Sequence, residues 1–449
     1  MRNTIADALK SPGADYIEIR IEESRTSRLV YRGKRLDEVG STSSVGGNVR
    51  ALVNGGWGFV SFNDTDNLKD NVQLAKKEAR LTGKEDFRLS PVEPVVDIVK
   101  PAEVSLISLA SKKQLLDGYN DIILSTPGIR TSNIGYSDGH KKTTFASSEG
   151  AYIEQTRTDI NLRLTAIAAK NGEVQQVGLS IGSLGDFSVV KGLTEKVKQL
   201  SERAVALLSA PQAKGGEYAV VLDPILAGVF AHEAFGHLSE ADHVYENQKL
   251  REIMVLGRKF SDKHLNIIDG AAVPGLRGSY KYDDEGVPAT KTYLIREGVL
   301  ESRLHSRETA AKMGEKTTGN ARAVNYSFPP IVRMTNTYIE PKTLSFEDII
   351  ADIKEGIYAK EWYGGTTSLE MFTFSAGEAY MIRNGKVAEL LRPVVLSGNV
   401  FETLGKIDAI GNDLEMNQGG GCGKRGQMPL PVSNGSPHIR ISRCLVGGG

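Results

Sequence analysis

The sequence predicts an α+β protein with two lobes, and three observations support this fold class. The chain has 449 residues, roughly three times the ~150 residues that one domain usually needs. Long strand patterns and amphipathic helix patterns share the first half of the chain, whereas short strand patterns separated by Gly, Asn and Pro fill the second half. The segment Pro211–Gly216 (PQAKGG), which lies between the halves, has the composition of a linker.

The N-terminal lobe is predicted to span residues 1–212, as an α/β arrangement with mixed or antiparallel strands. Asn63 or Asp64 is suited to cap a helix that runs to about Leu81. A proline-containing connector suggests a further boundary near residue 100. The other patterns indicate strands over Ala14–Glu22 and Tyr152–Ala169 and helices over Lys112–Leu124 and Thr194–Leu208.

The C-terminal lobe is predicted to span residues 213–449 and to be largely antiparallel β structure. A strand over Tyr218–Leu222 precedes Pro224, which favours the first turn of a helix. The later strand patterns mostly alternate, and short connections favour antiparallel pairing. They cover Tyr280–Tyr282, Lys291–Arg296, Val299–Leu304, Ile331–Asn336, Phe372–Arg383, Lys386–Val395 and His438–Leu445.

Composition and charge argue against several classes of protein. The 55 Lys and Arg residues balance the 55 Asp and Glu residues, and no basic stripe of the kind that nucleic-acid binders carry is visible. The most apolar stretch, Ile225–Ala231, is far shorter than a membrane span. The N-terminus lacks the apolar run of a signal peptide, and two cysteines cannot build a disulfide framework. We therefore expect a cytoplasmic protein that engages neither nucleic acid nor membrane.

The strongest local motif is His232-Glu233-Ala-Phe-Gly236-His237. Imidazole is the commonest metal ligand in proteins, and a carboxylate next to it can act as general base on metal-bound water. The alternative is two unrelated helix histidines, one buried and one solvated. The motif alone does not decide between these two interpretations.

The spacing of the two histidines raises a geometric problem. On a regular α-helix, residues five apart point ~140° away from each other and cannot share an ion. A π-bulge within Ala234–Gly236 would return His237 to the face of His232. Alternatively, the helix ends at Gly236 and His237 bends back from a loop. Both solutions are expected to use the backbone freedom of Gly236.

A catalytic zinc site needs a third protein ligand, and the sequence offers four candidates. They are Asp242, His243, Cys422 and His438. Cys422 lies in a glycine-dense segment, Gly419–Lys424, whose backbone N–H groups could hydrogen-bond a thiolate, and Lys424 and Arg425 would favour that charged form. Cys422 could instead be a mobile surface thiol, a partner of Cys444 or a nucleophile. Spacing alone does not choose among the four candidates.

Taken together, the sequence blocks resemble the TldD/PmbA family of metallopeptidases over essentially the whole chain. In the N-terminal lobe, the similar blocks are Gly46–Leu52 with Trp57–Phe59, and Ser148–Gly150. In the C-terminal lobe they are Gly215-Glu-Tyr through His232–His237, Thr318–Arg322 with Arg333–Thr337, Phe374–Tyr380, and Gly411–Leu414 leading to Cys422–Lys424. Because PmbA (TldE)-type members lack the histidine motif, this chain resembles the catalytic, TldD-type subunit.

The resemblance implies a zinc peptidase in which His232, His237 and Cys422 bind Zn²⁺ and Glu233 is the catalytic general base. It also implies unfolded proteins or peptides as substrates, held in extended conformation by backbone pairing. A homodimer, or a heterodimer with an inactive PmbA/TldE-type paralogue, is the implied assembly. The competing hypothesis is a metal-stabilised peptide-binding adaptor or regulatory protein without proteolytic activity. Direct binding to DNA or gyrase, which an older label of the family suggests, is disfavoured by the zero net charge.

Overall fold

The computed structural model describes residues 1–83, 88–100, 107–368 and 370–448. Helices and strands mix throughout, so the predicted α+β class is confirmed. One sheet is built from residues 16–183, and every other sheet is built from residues 216–448. The division between residues 212 and 213 and the boundary near residue 100 remain predictions, and residues 101–106 lie outside the described part of the chain.

The N-terminal sheet has seven strands in the order β3-β2-β1-β5-β6-β4, with β7 also paired to β6. The strands are β1 Tyr16–Arg32, β2 Arg35–Val53, β3 Gly56–Phe62, β4 Val96–Ile98, β5 Ile129–Ser147, β6 Tyr152–Lys170 and β7 Glu173–Ser183. All neighbours are antiparallel except β4 and β6, which are parallel.

Four helices cover one face of this sheet because alternate strand residues are apolar on that side. They are α1 Arg2–Leu9, α2 Leu68–Thr82, α3 Leu109–Ser125 and α4 Thr194–Leu207. Ile19 and Ile21 pack with α1 and α2, while Leu162 and Leu164 pack with α3 and α4. The opposite face carries charged residues such as Arg20, and it turns toward the C-terminal lobe.

The prediction that Asn63 or Asp64 caps α2 is wrong. The helix begins at Leu68 and is preceded by Asn67, whose side chain makes no capping hydrogen bond. Asp64 instead accepts a hydrogen bond from the backbone N–H of Asp66 at 2.9 Å. Such local side-chain turns compete with helix formation, which accounts for the later start.

Two larger sheets form the C-terminal part of the structure. The first has the order β11-β10-β9-β14-β23-β20, and the second has the order β15-β8-β24-β18-β16-β17 with β19 paired to β24. The pairs β12–β13 and β21–β22 stand apart as two-stranded sheets. The strands are β8 Gly216–Leu222, β9 Ile267–Gly270, β10 Lys291–Arg296, β11 Val299–Leu300, β12 Ala321–Arg322, β13 Ile331–Val332, β14 Asn336–Ile339, β15 Glu355–Ser368, β16 Met371–Arg383, β17 Lys386–Leu391, β18 Val394–Asn399, β19 Ile407–Ile410, β20 Glu415–Asn417, β21 Gly421–Lys424, β22 Gln427–Pro431, β23 Ser433–Ser436 and β24 Ile439–Gly448.

Most of these strands pair in the antiparallel sense, as predicted, but β8 is parallel to β15 and β14 is parallel to β23. The six short helices of this region are α5 Pro224–Phe230, α6 Ala241–Glu246, α7 Gln248–Ile253, α8 Arg307–Met313, α9 Phe346–Ile350 and α10 Val400–Gly405. Helix α5 is surrounded by the main core cluster, in which Phe230 packs edge-on against Phe372 and Phe374. This burial fixes the segment that follows α5 in the chain.

Four strand predictions in this region need correction. The pattern over Val299–Leu304 forms a strand only over Val299–Leu300 (β11), and the Leu304 N–H donates instead to the carbonyl of Ser239. Tyr280–Tyr282 is not a strand, because the Tyr282 N–H donates instead to the Gln155 side chain of β6 at 3.0 Å. The pattern over Ile331–Asn336 divides into β13 and the start of β14, and the pattern over Lys386–Val395 divides into β17 and the start of β18. The alternation of apolar and polar residues predicts strand structure in these segments, but it does not show where one strand ends and the next begins.

The two parts of the chain meet through charged side chains. Arg277 forms a bidentate ion pair with Asp159 of β6, with N···O distances of 2.7 and 2.8 Å. It also donates to the backbone carbonyls of Gln418 and Gly420. The backbone of the segment before Cys422 is thereby tied to the N-terminal sheet. Within the described part of the chain, no helix is long and apolar enough to cross a membrane.

Candidate metal centre

The histidine motif lies on a helix that changes its winding. Helix α5 begins at Pro224, continues to Phe230, and becomes a π-helix over Ala231–Gly236. The backbone N–H of His237 donates to the carbonyl of His232, five residues earlier. Because a π turn holds one more residue than an α turn, the two imidazoles come to one side, with ring centroids 5.3 Å apart. Of the two arrangements considered from the sequence, the structure therefore has the π-type.

Gly236 serves this helix by its size and not by its backbone freedom, so that part of the prediction is wrong. Its φ of −57° and ψ of −48° are ordinary helical values. A Cβ atom at this position would lie 2.1 Å from the sulfur of Met334. The absence of a side chain thus allows the π-helix to pack closely against the segment that leads into β14.

Cys422 reaches the two histidines from the hairpin β21–β22. Its Sγ lies 3.5 Å from Nε2 of His237, and ligand atoms of His232, His237 and Cys422 all lie within 4.8 Å of one another. His232 and Cys422 are each 2 % exposed. The fully buried Arg333 holds the hairpin in place by donating to the carbonyls of Cys422 and Gln427 at 2.9 and 3.2 Å.

The Cys422 thiol and the two imidazoles stabilise each other's charged forms. Burial alone would raise the pKa of the Cys422 thiol, but the two imidazoles outweigh burial and bring the pKa well below its ordinary value. Burial would lower the pKa of His237, yet the charges of Glu240 and Cys422 raise it well above the usual value. The pKa of His232 is likewise raised against burial, through its hydrogen bond with Cys422. The cluster therefore favours a thiolate.

The basic residues after Cys422 have a different role from the predicted one. Lys424 places its ammonium 2.7 Å from Asp242 and 3.1 Å from Glu240. Arg425 pairs with Glu246 at the surface. Both cations are thus engaged by carboxylates, and the imidazoles are the groups that lower the pKa of the thiol.

Glu240 is a site residue that the sequence analysis missed. Its fully buried carboxylate accepts a hydrogen bond from Nδ1 of His237 at 3.0 Å and forms the ion pair with Lys424. Burial would raise the pKa of Glu240, but Lys424 and His237 lower it overall. Because Nδ1 keeps its proton in this hydrogen bond, Nε2, which faces Cys422, is the nitrogen that must release its proton to bind a metal ion. The sign of this contact in the sequence is that Glu240 follows His237 by three residues, a spacing at which helical side chains can meet.

Glu233 stands beside the cluster at the edge of a cleft. Its side chain is 33 % exposed, and one carboxylate oxygen lies 3.9 Å from Nε2 of His237. The cleft has a volume of about 680 Å³ and is bordered by the π-helix, by Gly365–Thr367 of β15, by the end of β21 and by Arg425, which follows it. A molecule in this cleft can approach both Glu233 and His237.

The other ligand candidates are occupied elsewhere. Asp242 pairs with Lys424, and His438 lies between Tyr358 and Asp413, with contacts of 2.8 and 2.5 Å. His243 lines the cleft, but its Nδ1 lies 3.3 Å from the backbone carbonyl of His237. None of the three belongs to the cluster that contains Cys422.

The donor set fits a zinc ion. Two imidazoles and a thiolate are ligands that zinc accepts, and three protein ligands are typical of its catalytic sites. Tetrahedral bonds of ~2.3 Å to sulfur and ~2.05 Å to nitrogen would separate the two atoms by ~3.6 Å, close to the 3.5 Å between Cys422 and His237. The Nδ1 atom of His232 is buried and has no hydrogen-bond partner among the described residues. A buried ring nitrogen without a partner, in a cluster of zinc-type donors, is consistent with a metal ligand.

Asp223, which caps the helix that leads to the cluster, allows a stability test. Its Oδ1 accepts from the N–H of Leu226 at 2.8 Å, while burial raises its pKa to about 6 and the charges of nearby Glu378 also act in that direction. Since the pKa is higher in the folded state, ionisation costs stability, with no cost below about pH 4 and the full cost above about pH 6. The difference corresponds to about 3 kcal/mol.

We therefore expect Asp223→Asn, which retains a capping oxygen, to be more stable than the unmodified chain at pH 8 by up to about 3 kcal/mol, and equally stable at pH 4. Denaturant unfolding at the two pH values checks this. Asp223→Ala, which loses the cap, is the comparison variant. An Asn variant that is less stable than the unmodified chain at pH 8 would contradict the assignment.

Three family domains match the chain in order. They are described as the PmbA/TldA metallopeptidase domain 1, over residues 17–80, the central domain, over residues 102–208, and the C-terminal domain, over residues 215–448. Together with the relatives described next, they show that the chain belongs to the PmbA/TldD family of metallopeptidases.

Relatives extend over nearly the full chain. A metalloprotease of Synechocystis sp. is 47 % identical, covering 97 % of this chain and 95 % of its own length. A zinc metalloprotease TldD homolog of Saccharolobus solfataricus is 30 % identical, covering 97 % of each chain. These likenesses support a metallopeptidase at the level of the family.

Solved structures share the fold. A Thermotoga maritima protein described as a modulator of a DNA gyrase superposes with a TM-score of 0.81 at 21 % identity and covers 99 % of both chains. TldE from Thermococcus kodakarensis superposes with a TM-score of 0.78 at 19 % identity and covers 100 % of both chains. At this level of identity the likeness concerns the fold alone.

Proposed function

We propose that this chain is a zinc-dependent peptidase that hydrolyses peptide bonds of unfolded proteins or peptides. The observation that carries the proposal is the convergence of two imidazoles and a thiolate from distant segments, within 4.8 Å of one another, beside a carboxylate on an open cleft. His232, His237 and Cys422 are the proposed ligands, and Glu233 is the proposed general base.

Each side chain has a defined task in this mechanism. A zinc ion held by the three ligands supplies a Lewis acid that polarises a carbonyl and lowers the pKa of water. Glu233, partly exposed and 3.9 Å from Nε2 of His237, takes a proton from the attacking water and later delivers it to the leaving amine. Glu240 keeps the proton of His237 on Nδ1, which preserves Nε2 as a donor to the metal.

The cleft offers a strand edge for an extended substrate. Strand β15 pairs with β8 only over Gly356–Ala359, although β15 continues to Ser368 along its partner β16. Beyond Ala359, no described strand pairs with the edge of β15 that faces away from β16. Gly365–Thr367 of this stretch border the cleft. Backbone pairing here would bind peptides through main-chain groups with little dependence on their side chains.

The proposed assembly is a homodimer or a heterodimer with an inactive PmbA/TldE-type paralogue. The support for it is the family to which the chain belongs, together with its retention of the histidine motif. Purified chain, alone and mixed with such a paralogue, should therefore be analysed by light scattering before activity is measured.

The test of the function is digestion of a reduced, unfolded protein by the purified chain. We expect cleavage that a chelator abolishes and that added Zn²⁺ restores, whereas the folded form of the same protein stays intact. A zinc-loaded chain that binds the unfolded protein but never cleaves it, with or without the paralogue, would favour the adaptor hypothesis instead.

The role of Glu240 gives a separate prediction. Glu240→Gln removes the charge that orients the imidazole of His237 and should weaken zinc binding by ~10–100-fold. Competition with a chromophoric chelator measures this affinity. Because a merely structural role would lower stability without changing zinc affinity, Asp242→Asn, which also loses a partner of Lys424, is the matched control. Equal zinc affinity in Glu240→Gln and the unmodified chain would contradict the positioning role.

A further inference from the structure

A second cavity lies between the two parts of the chain and shares no lining residue with the cleft at the metal centre. Its volume is about 720 Å³. One wall is the charged face of the N-terminal sheet, from β1, β5 and β6. The other wall consists of residues 279–284, 322–327 and 429–431.

The carboxylates that line this cavity already have partners. Asp159 forms the bidentate ion pair with Arg277, and Glu22 forms ion pairs with Arg20 and with Lys141. Asp284 accepts the N–H of Ala323 at 2.7 Å and lies 3.2 Å from Arg20. Asp283 accepts three backbone N–H groups, those of Glu285, Val287 and Ala321, at 2.9 to 3.0 Å. Burial also raises the pKa of Asp283 well above its ordinary value, which favours its neutral form. These acids therefore leave little negative charge for other cations.

Two guanidinium groups in the walls lack a carboxylate partner among the described residues. Arg157 of β6 donates to the backbone carbonyl of Arg277. Arg322 donates to the backbone carbonyls of Met334 and Pro431 at 2.6 and 2.7 Å, and its plane lies over the ring of Tyr280. Carbonyl groups satisfy hydrogen bonds but do not neutralise charge. The cavity therefore has two guanidinium groups that no carboxylate among the described residues contacts directly, one from each of its walls.

The pKa shifts of Arg157 and Arg322 agree with the lack of direct carboxylate partners. Burial and the charges of Arg322 and Arg277 lower the pKa of Arg157 to about 10, although Asp159 opposes them. Burial, together with the charge of Arg333, also lowers the pKa of Arg322, although Tyr280, Asp284 and Asp269 oppose them. Two cations that repel each other in a partly enclosed space are stabilised by an anion between them.

We propose that this cavity binds an organic oxyanion, a carboxylate or a phosphate monoester, at Arg157 and Arg322. The planar fork of a guanidinium matches both groups, which accept two parallel hydrogen bonds. The volume is that of a site for a small organic molecule and exceeds what a bare inorganic ion fills. Tyr280, Tyr326 and Pro429 in the walls supply apolar surface for the body of the ligand. Because Arg157 and Arg322 belong to opposite walls, the bound ligand contacts both walls of the cavity.

The test is isothermal titration of the zinc-loaded full chain with N-acetyl-tyrosine, N-acetyl-tyrosine amide, phenyl phosphate and inorganic phosphate. We expect N-acetyl-tyrosine or phenyl phosphate to bind more tightly than the amide and inorganic phosphate, and to weaken as salt is raised. Preference for N-acetyl-tyrosine identifies a carboxylate ligand, and preference for phenyl phosphate identifies a phosphate monoester.

Variants of Arg157 and Arg163 show whether the preferred probe binds in this cavity. Arg157→Gln should weaken the preferred probe at least 10-fold, and Arg157→Lys, which keeps the charge but loses the fork, should weaken it less. Arg163→Gln, an exposed residue of the same strand that does not line the cavity, should bind like the unmodified chain. Binding that persists unchanged in Arg157→Gln would come from another site and would overturn the proposal, as would failure of both organic oxyanions to bind. Neither result bears on hydrolysis, so the peptidase proposal is tested separately.

Discussion

Glu233→Gln is expected to keep zinc bound and to lose peptide hydrolysis. Glutamine has nearly the same size as glutamate but cannot accept a proton, so the attacking water would have no base. General acid–base groups contribute ~10²–10⁴-fold to rates, and we expect kcat on an unfolded substrate to fall by that factor. Glu233 is one-third exposed, so the stability of the fold should change little.

The measurement combines initial rates of cleavage with zinc content of the same samples. Glu252→Gln is the matched control, because Glu252 is an exposed acid of the nearby helix α7 and lies outside the cleft. Full activity in Glu233→Gln would exclude Glu233 as the base. Loss of zinc together with activity would show that Glu233 acts on the metal site and not on the proton transfer.

Cys422→Ala is expected to lose zinc. The variant removes the sole sulfur from the cluster and leaves two imidazoles, which is fewer than the three ligands of a catalytic zinc site. The affinity should fall by much more than the ~10–100-fold that loss of a ligand's hydrogen-bond partner costs. Because ligand binding stabilises the folded state, the rise in melting temperature that zinc gives the unmodified chain should also disappear.

Cys444→Ala is the control for this prediction. Cys444 is buried in β24, and burial raises the pKa of its thiol to about 11, so it has no tendency to form a thiolate. Both variants delete one buried sulfur, but only Cys422 contacts the histidines. Stoichiometric zinc in Cys422→Ala after dialysis would refute the ligand assignment.

Much of the fold could be predicted because its signals are local. The alternation in Tyr152–Lys170 and the helical spacing in Thr194–Leu207 are properties of single segments, and both elements appear within one residue of their predicted bounds. The helix start at Leu68 was misplaced because the side chain of Asp64 makes a turn instead of a cap. The bends that divide the later strands depend on neighbours far away in the sequence.

In the candidate site, too, local features could be predicted whereas long-range contacts could not. The histidine pair was visible from its spacing, and helix geometry alone required either a π-bulge or a helix end at Gly236 without deciding between them. Residue spacing could not select Cys422 from the four candidates, because the choice depends on how Arg333 holds a hairpin ~190 residues away from the helix. The pairing of Lys424 with Glu240 was equally inaccessible, since it joins the two segments only after folding.

X-ray absorption at the zinc edge, measured on the zinc-loaded full chain, tests the central claim most directly. The account predicts one sulfur neighbour at ~2.3 Å and two imidazole nitrogens at ~2.0–2.1 Å, with a further light atom completing four-fold coordination. A shell that contains only nitrogen and oxygen, or two sulfur atoms, would contradict it.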